Sequence, residues 1–249
     1  MNLELVGKTA LITGGSRGIG LAVARSLAAE GCALHLASRT GKDLESAQRE
    51  ISQAHGVGVS IHVADLSDDA AAAKLVAACS EVDILVNNAG AVPSGTLAAV
   101  DNETWKRSWD LKVFGYLSLM RGLLPSMQRR GQGVIINIIG TGGEKPTADY
   151  LVGGGANASL IAMTRALGSA SVDQGVRVLG VNPGIVKTDR TAEALRLHPE
   201  ICERLPFKRP AWPEEIADVV CFLASARASY ISGTIVTIDG GTVGRGSTF

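Results

Sequence analysis

Aromatic residues make up only 4% of this 249-residue chain, and its 24 basic and 24 acidic residues cancel to a formal net charge of zero. Nothing in that balance favours nucleic acid or an anionic membrane surface as a partner. Cysteine is sparse too: Cys32, Cys79, Cys202 and Cys221 are scattered, with neither metal-type nor disulfide-type spacing. They read as small buried apolar groups in a reducing compartment, and no metal is expected. No apolar run approaches bilayer-spanning length, and the start MNLELVGKTALITGG lacks a basic region followed by a long apolar stretch. The expectation is a cytoplasmic protein with no membrane partner. An internal repeat and a Pro/Ser-rich linker are also lacking, so 1–249 is taken as a single domain.

What is present is apolar residue in regular alternation, 46% of the chain. Short runs at Thr9–Ile12, Ala33–Ala37, Val59–Val63, Ile84–Val86, Val134–Ile138, Arg177–Val181 and Thr234–Ile238 contain β-branched residues and end at Gly, Asn, Asp or Pro. They read as buried strands. Between them, Gly18–Glu30, Lys42–Ala54, Asp69–Cys79, Asn102–Arg129, Asn157–Ser171 and Pro213–Ala224 have helix-type apolar spacing. Sustained strand–helix alternation predicts an α/β fold: a doubly wound, mostly parallel, Rossmann-type sheet covered on both faces. The least regular part, 188–210, holds a short amphipathic piece around Ala192–Leu205 and suits a flap over a ligand.

The segment Thr13-Gly14-Gly15-Ser16-Arg17-Gly18-Ile19-Gly20 follows the first strand and opens the first helix. Glycines there let the backbone turn tightly and approach a pyrophosphate, which then sits on the free N–H groups of the helix. The TGxxxGIG spacing resembles the short-chain dehydrogenase/reductase family. So do Asn87-Asn88-Ala89-Gly90 after the fourth strand, Asn182-Pro183-Gly184 after the sixth, Thr188 beyond it, and Ser232-Gly233 with Asp239-Gly240-Gly241 near the end. The resemblance covers essentially the whole chain. It implies a nicotinamide cofactor held by Gly14, Ser16, Arg17, Gly18, Ile19, Gly20, Asn88, Ala89, Gly90, Pro183, Gly184 and Thr188, with Asp65 and Leu66 at the adenine. It also implies a small-molecule substrate and a homo-oligomer, tetrameric or dimeric, built on the Asn102–Arg129 and Asn157–Ser171 helices. In the family, a carboxylate at the end of the second strand selects NAD; this chain has Ser38-Arg39, with Arg17 in the loop. Two guanidiniums beside a 2′-phosphate favour NADP(H) over NAD. The bland reading leaves Arg39 solvated, Arg17 snorkelling and Asp65 a turn residue.

The family's active site combines a Ser, a Tyr, a Lys four residues later on the same helix face, and an Asn from an earlier helix. The Lys lowers the Tyr pKa and holds the nicotinamide ribose. Aligned from the strand Gly133–Gly140 and from Leu160–Leu167, the Ser position falls on Gly140, the Tyr position on Gly153 and the Lys position on Asn157. The Asn position falls on Lys112. The usual tetrad is therefore missing, but lysine and asparagine have exchanged places. Tyr150, three residues before Gly153 and seven before Asn157, shares a face with both on a continued helix, and Thr141, after Gly140, offers a second hydroxyl.

The expectation is a relocated site that interconverts a carbonyl and an alcohol with NADP(H). Tyr150 donates or accepts the proton, Lys112 is its cationic partner, and Asn157 and Thr141 orient ribose and substrate oxygen. Lys187 and Arg190 could make the pocket favour an anionic substrate, and Leu195, Leu197, Ile201, Leu205 and Phe207 could line an apolar wall. The alternatives are ordinary: a solvated Lys112, a Tyr150 packed at the cleft mouth, a flexible Gly153-Gly154-Gly155, a turn residue at Thr141, and core packing for the flap leucines. They lead to two rivals. One is a catalytically inactive dinucleotide-binding protein that senses its cofactor or binds a partner; the other is an enzyme using these groups for chemistry other than hydride transfer.

Overall fold

Every run of β-branched residues finds a partner in one sheet. The computed structural model describes residues 2–245. Its strands are β1 (Thr9–Thr13), β2 (Ala33–Ser38), β3 (Val59–Val63), β4 (Ile84–Asn87), β5 (Gly133–Ile138), β6 (Val176–Pro183) and β7 (Ile235–Ile238). They lie in the order β3-β2-β1-β4-β5-β6-β7, and every pairing is parallel. Chain order reverses between β1 and β4, so a crevice opens at the carboxyl ends of those two strands, where ligands bind in such sheets.

The helices are α1 (Gly18–Ala29), α2 (Gly41–His55), α3 (Asp69–Ala78), α4 (Asn102–Trp109), α5 (Gly115–Arg130), α6 (Leu151–Ala170), α7 (Asp189–Leu197), α8 (Glu200–Arg204) and α9 (Pro213–Ala224). One face of the sheet buries Leu27 of α1, Leu44 of α2 and Ile216 and Val220 of α9. The opposite face buries Leu75 of α3, Leu119 and Leu123 of α5 and Leu160 of α6. Each such side chain contributes about 1.5–3 kcal/mol by leaving water, which is why the strands are apolar on both faces.

Three differences from the sequence expectation bear on the site. The helix expected from Asn157 begins at Leu151, so the glycine triplet 153–155 lies inside an ordered first turn and a half rather than in a flexible entry. The helix expected over Asn102–Arg129 is broken by a π-helical turn at Asp110–Phe114. Wider turns of this kind re-aim side chains and recur at functional sites; here the turn carries Lys112. Region 188–210 contains α7, α8 and a 3₁₀ turn at Pro206–Lys208, in which Phe207 and Lys208 adopt φ of +56° and +55°. None of Leu195, Leu197, Ile201, Leu205 or Phe207 is buried, which corrects the core-packing alternative for them. Cys32, Cys79 and Cys221 are buried, whereas Cys202 is only half-buried. No described helix is long and apolar enough to cross a membrane.

Candidate active site

At the β1 end of the crevice the backbone does the shaping. Gly14 and Gly18 adopt φ of +63° and +55°, which side chains rarely allow. A Cβ on Gly20 would lie 2.2 Å from the Gly14 carbonyl oxygen, so only glycine lets helix α1 close on the loop. Arg17 at its N-cap gives no side-chain cap, and no acidic residue sits in the first turn. The free N–H groups and the dipole there fit a pyrophosphate. Thr13 Oγ1 accepts from the backbone N–H of Asn88 and of Ala89 at 2.9 Å each, and Asn88 Nδ2 donates to Thr13 O at 2.9 Å. The loops after β1 and β4 are thus locked together, with Gly90 next in line.

Ser16 donates to Ser38 Oγ at 3.2 Å, joining the glycine loop to the end of β2. Arg17 and Arg39 are exposed, and neither has an ion-pair partner among the described residues. Both guanidiniums therefore remain available to a phosphate. Burial works to raise the Asp65 pKa, but hydrogen bonds from Ser67 and the nearby Arg39 outweigh it, and the carboxyl stays below its usual range. Asp65 is thereby the turn residue of the bland reading as well as a neighbour of Arg39. Leu66 is buried and backs onto Gly115. Pro183 ends β6, and the Gly184 N–H continues the ladder to Ile238 O at 3.0 Å. Thr188 caps α7 and would lie 3.3 Å from a Cβ on Gly18, facing the glycine loop. Ile19 is half-buried behind that loop.

At the β5 end, side chains do the shaping. Lys112 is 8% exposed, and its Nζ donates to Ile139 O at 2.6 Å. It is not a solvated lysine. Desolvation, with Arg190 nearby, brings its pKa down to about 7. Asn157 is 2% exposed, and its Nδ2 would lie 3.1 Å from a Cβ on Gly140. Lys112 and Asn157 therefore meet the chain at consecutive residues, 139 and 140. Asn157 Oδ1 is buried without a hydrogen-bond partner among the described residues. Such an atom costs about 1–3 kcal/mol unless a ligand or water reaches it.

The ring of Tyr150 lies on the side of α6 that residues 153 and 157 face, although Tyr150 is not part of the helix. It is the residue before the helix, at φ −136° and ψ 36°, and its ring folds over Gly153. A Cβ there would lie 2.1 Å from the ring Cζ and 2.4 Å from the hydroxyl oxygen. Gly142 closes on the other side, 3.0 Å from ring atoms by the same measure. The tyrosine thus occupies space that any side chain at residue 153 would enter. Burial holds its phenol above the usual pKa, opposed by Arg190. Gly155 accommodates Trp109, whose indole N–H donates to Val152 O at 3.2 Å. The triplet is a packing surface. Thr141 opens a short 3₁₀ turn and is half-buried, next to the Gly140 that marks the Ser position.

Arg190 reaches across from α7 and donates to Gly90 O, and its charge is felt at Lys112, Tyr116 and Tyr150. Lys187, expected beside it, instead lies over the Trp212 ring at 4.5 Å, so only Arg190 joins the cluster. The sequence reading missed two elements. Tyr116, one turn after Lys112, is fully buried and donates to Ile138 O at 3.0 Å. Asn87 Nδ2 donates to Asn137 Oδ1, and Asn137 Nδ2 to Thr164 Oγ1, each at 2.9 Å, while Gly140 N–H donates to Asn182 Oδ1 at 3.2 Å. Asparagines at the ends of three apolar strands were the available signal, because buried amides demand partners.

A glycine loop at the switch point, joined to a buried lysine and amide at the end of β5, defines a dinucleotide-type cleft with an acid–base cluster. Residues 14–243 match the family model described as enoyl-(acyl carrier protein) reductase. The chain belongs to the short-chain dehydrogenase/reductase family. It is 35% identical over 246 residues to 3-oxoacyl-(acyl-carrier-protein) reductase FabG of Escherichia coli, covering 97% of this chain and 98% of that one. It is also 35% identical to galactitol 2-dehydrogenase (L-tagatose-forming) of Cereibacter sphaeroides, over 96% of each. L-Sorbose reductase of Gluconobacter frateurii, solved with NADPH and L-sorbose, superposes at a TM-score of 0.93 with 31% identity, over 98% of this chain and 100% of that one.

Proposed function

We propose that the protein binds NADP(H) and interconverts a carbonyl and an alcohol on a small anionic substrate, with its acid–base centre at Lys112. The observation that carries this reading is a buried lysine at the end of β5, its Nζ 2.6 Å from Ile139 O, where desolvation brings its pKa down to about 7. An amine poised near neutrality is an efficient proton donor and acceptor, which a solvated lysine is not. The cofactor assignment draws on Arg17 and Arg39, on the absence of a carboxylate at Ser38, and on relatives such as the NADPH-bound sorbose reductase.

The nicotinamide would supply or accept the hydride at the carbon bearing the oxygen. In reduction, the Lys112 ammonium gives its proton to the substrate oxygen and is left as the amine; in oxidation, the amine takes the hydroxyl proton. Tyr150, held as a phenol, hydrogen-bonds that oxygen or an intervening water, and Asn157 and Thr141 orient ribose and substrate. Arg190 faces an anionic group on the substrate, and segment 188–210 acts as the flap that carries it. A homo-oligomer, tetrameric or dimeric, built on α4, α5 and α6 fits the 52% exposure of Phe114 and is checked by light scattering.

A carbonyl screen with NADPH compares wild type with Lys112→Met and Tyr150→Phe. Turnover is expected to fall about 10²-fold or more in the first and about tenfold in the second, with NADPH affinity kept in both. Wild-type reduction should decline as pH rises through about 7, because it needs the ammonium, and oxidation should climb over the same range. Lys112→Met should lose both limbs. The vacant hydroxyl positions at Gly140 and Gly153 favour the rival reading of a cofactor-binding protein without chemistry. Tight NADPH binding with no turnover on any carbonyl would establish that rival.

A further inference from the structure

Outside the cleft, at the β3 edge of the sheet, a second group of side chains converges from three elements. His35 projects from β2, His62 from β3, and Cys79 is the residue that ends α3. The register pairs Ala37 with His62 and His35 with Ser60, so the two histidines stand on one face, two positions out of step. They lean together until His35 Nδ1 lies 2.9 Å from His62 Nε2, with ring centroids 5.2 Å apart and planes inclined by 21°. Cys79 Sγ approaches the same Nε2 at 3.8 Å, and all three donor atoms lie within 4.8 Å of one another. Among the described residues, the hydrogen-bonding partners of these three side chains are one another.

We propose that His35 Nδ1, His62 Nε2 and Cys79 Sγ form a binding site for Zn²⁺. Two imidazoles and a thiolate are a borderline-soft donor set suited to that ion. Tetrahedral zinc with Zn–N near 2.0–2.1 Å and Zn–S near 2.3 Å holds its donors about 3.3–3.8 Å apart. The His35–His62 spacing of 2.9 Å lies just below that range and the Cys79–His62 spacing of 3.8 Å at its upper limit, so side-chain rotations that shift atoms by a few tenths of an ångström bring these donors to it. Both rings are half-buried while the sulfur is buried, which leaves the fourth position toward water. A bound ion would tie edge strand β3 to β2 and to the end of α3, and would stabilise the folded chain by mass action. The thiol gives up its proton on binding, so the step is a plain exchange of H⁺ for Zn²⁺. Spacing along the chain concealed the set, because its members are 27 and 17 residues apart.

The test titrates the full-length, metal-free protein with Co²⁺ as a spectroscopic stand-in, followed by displacement with Zn²⁺. One Co²⁺ per chain is expected, with a thiolate-to-cobalt charge-transfer band and the intense visible bands of a tetrahedral ion, all abolished by Zn²⁺. Cys79→Ser should remove the charge-transfer band, and His62→Gln should weaken binding at least tenfold (about 1.4 kcal/mol or more). Circular dichroism and NADPH affinity report that each variant is folded. Cys202→Ser, at the half-buried flap cysteine, should leave every band in place. Should Cys79→Ser fail to fold, His62→Gln and the Cys202 control still decide the matter. The proposal is overturned by a wild type with no saturable one-to-one binding, or by spectra that survive His62→Gln or vanish with Cys202→Ser.

Discussion

The two ends of the cleft are built from different material. At the end of β1, Gly14, Gly18 and Gly20 shape a cradle from the main chain, and side chains matter chiefly by being absent. At the end of β5, the groups that meet are side-chain tips: the Lys112 amine on Ile139 O, the Asn157 amide at Gly140 and the Tyr150 ring over Gly153. A backbone cradle ties function to particular residues at particular positions. A cluster of tips is freer, because long side chains can deliver the same group from a different Cα. In the proposed mechanism, lysine at 112 and asparagine at 157 use that freedom.

The sharpest way to break this contrast is a matched pair of glycine substitutions. Gly20→Ala drives a methyl into the Gly14 carbonyl, which is backbone and cannot step aside. NADPH affinity should fall about 5- to 150-fold, in line with overpacking costs of about 1–3 kcal/mol. Gly153→Ala drives its methyl into the Tyr150 ring instead. Turnover should then drop by a similar factor while NADPH affinity, read by fluorescence titration, stays within about twofold. Equal effects of the two changes on cofactor binding would erase the distinction. Arg39→Asp comes next in size. Removing a charge-assisted contact worth about 1.5–3 kcal/mol and adding a carboxylate should swing the NADP/NAD affinity ratio at least about tenfold toward NAD. Unchanged relative affinities would take Arg39 out of cofactor selection. The mildest is Tyr116→Phe, which removes the hydrogen bond to Ile138 O. A loss of about 1 kcal/mol in urea unfolding is expected, with carbonyl turnover changed less than in Tyr150→Phe.

The same contrast explains what the sequence allowed a reader to see. Strand–helix alternation disclosed all seven strands, because a parallel sheet buried on both faces needs continuous β-branched runs. The glycine loop was legible because its requirement is local: positive φ and a close approach at fixed spacing. Lys112 and Asn157 could be matched by position, but the burial of the lysine could not. It depends on a π-helical turn that helix periodicity does not signal. Tyr150 could be assigned to the side of residues 153 and 157, but a helix pattern extended backwards says nothing of a ring that folds across Gly153 from outside the helix. Lys187 and Arg190 looked alike in the chain, and tertiary contacts separated them: Trp212 holds one, and the other reaches Gly90. The asparagines at 87, 137 and 182 were visible as polar residues at strand ends, yet their partners lie on neighbouring strands and α6, where register decides.

The ring of Tyr150 lying where a residue 153 side chain would project has a consequence for redesign. A tyrosine cannot be installed at position 153 while Tyr150 keeps its seat, and truncating Tyr150 opens a void between Gly142 and Gly153. Single substitutions meet a collision in one order and a cavity in the other. The two positions therefore have to be exchanged together, as one unit.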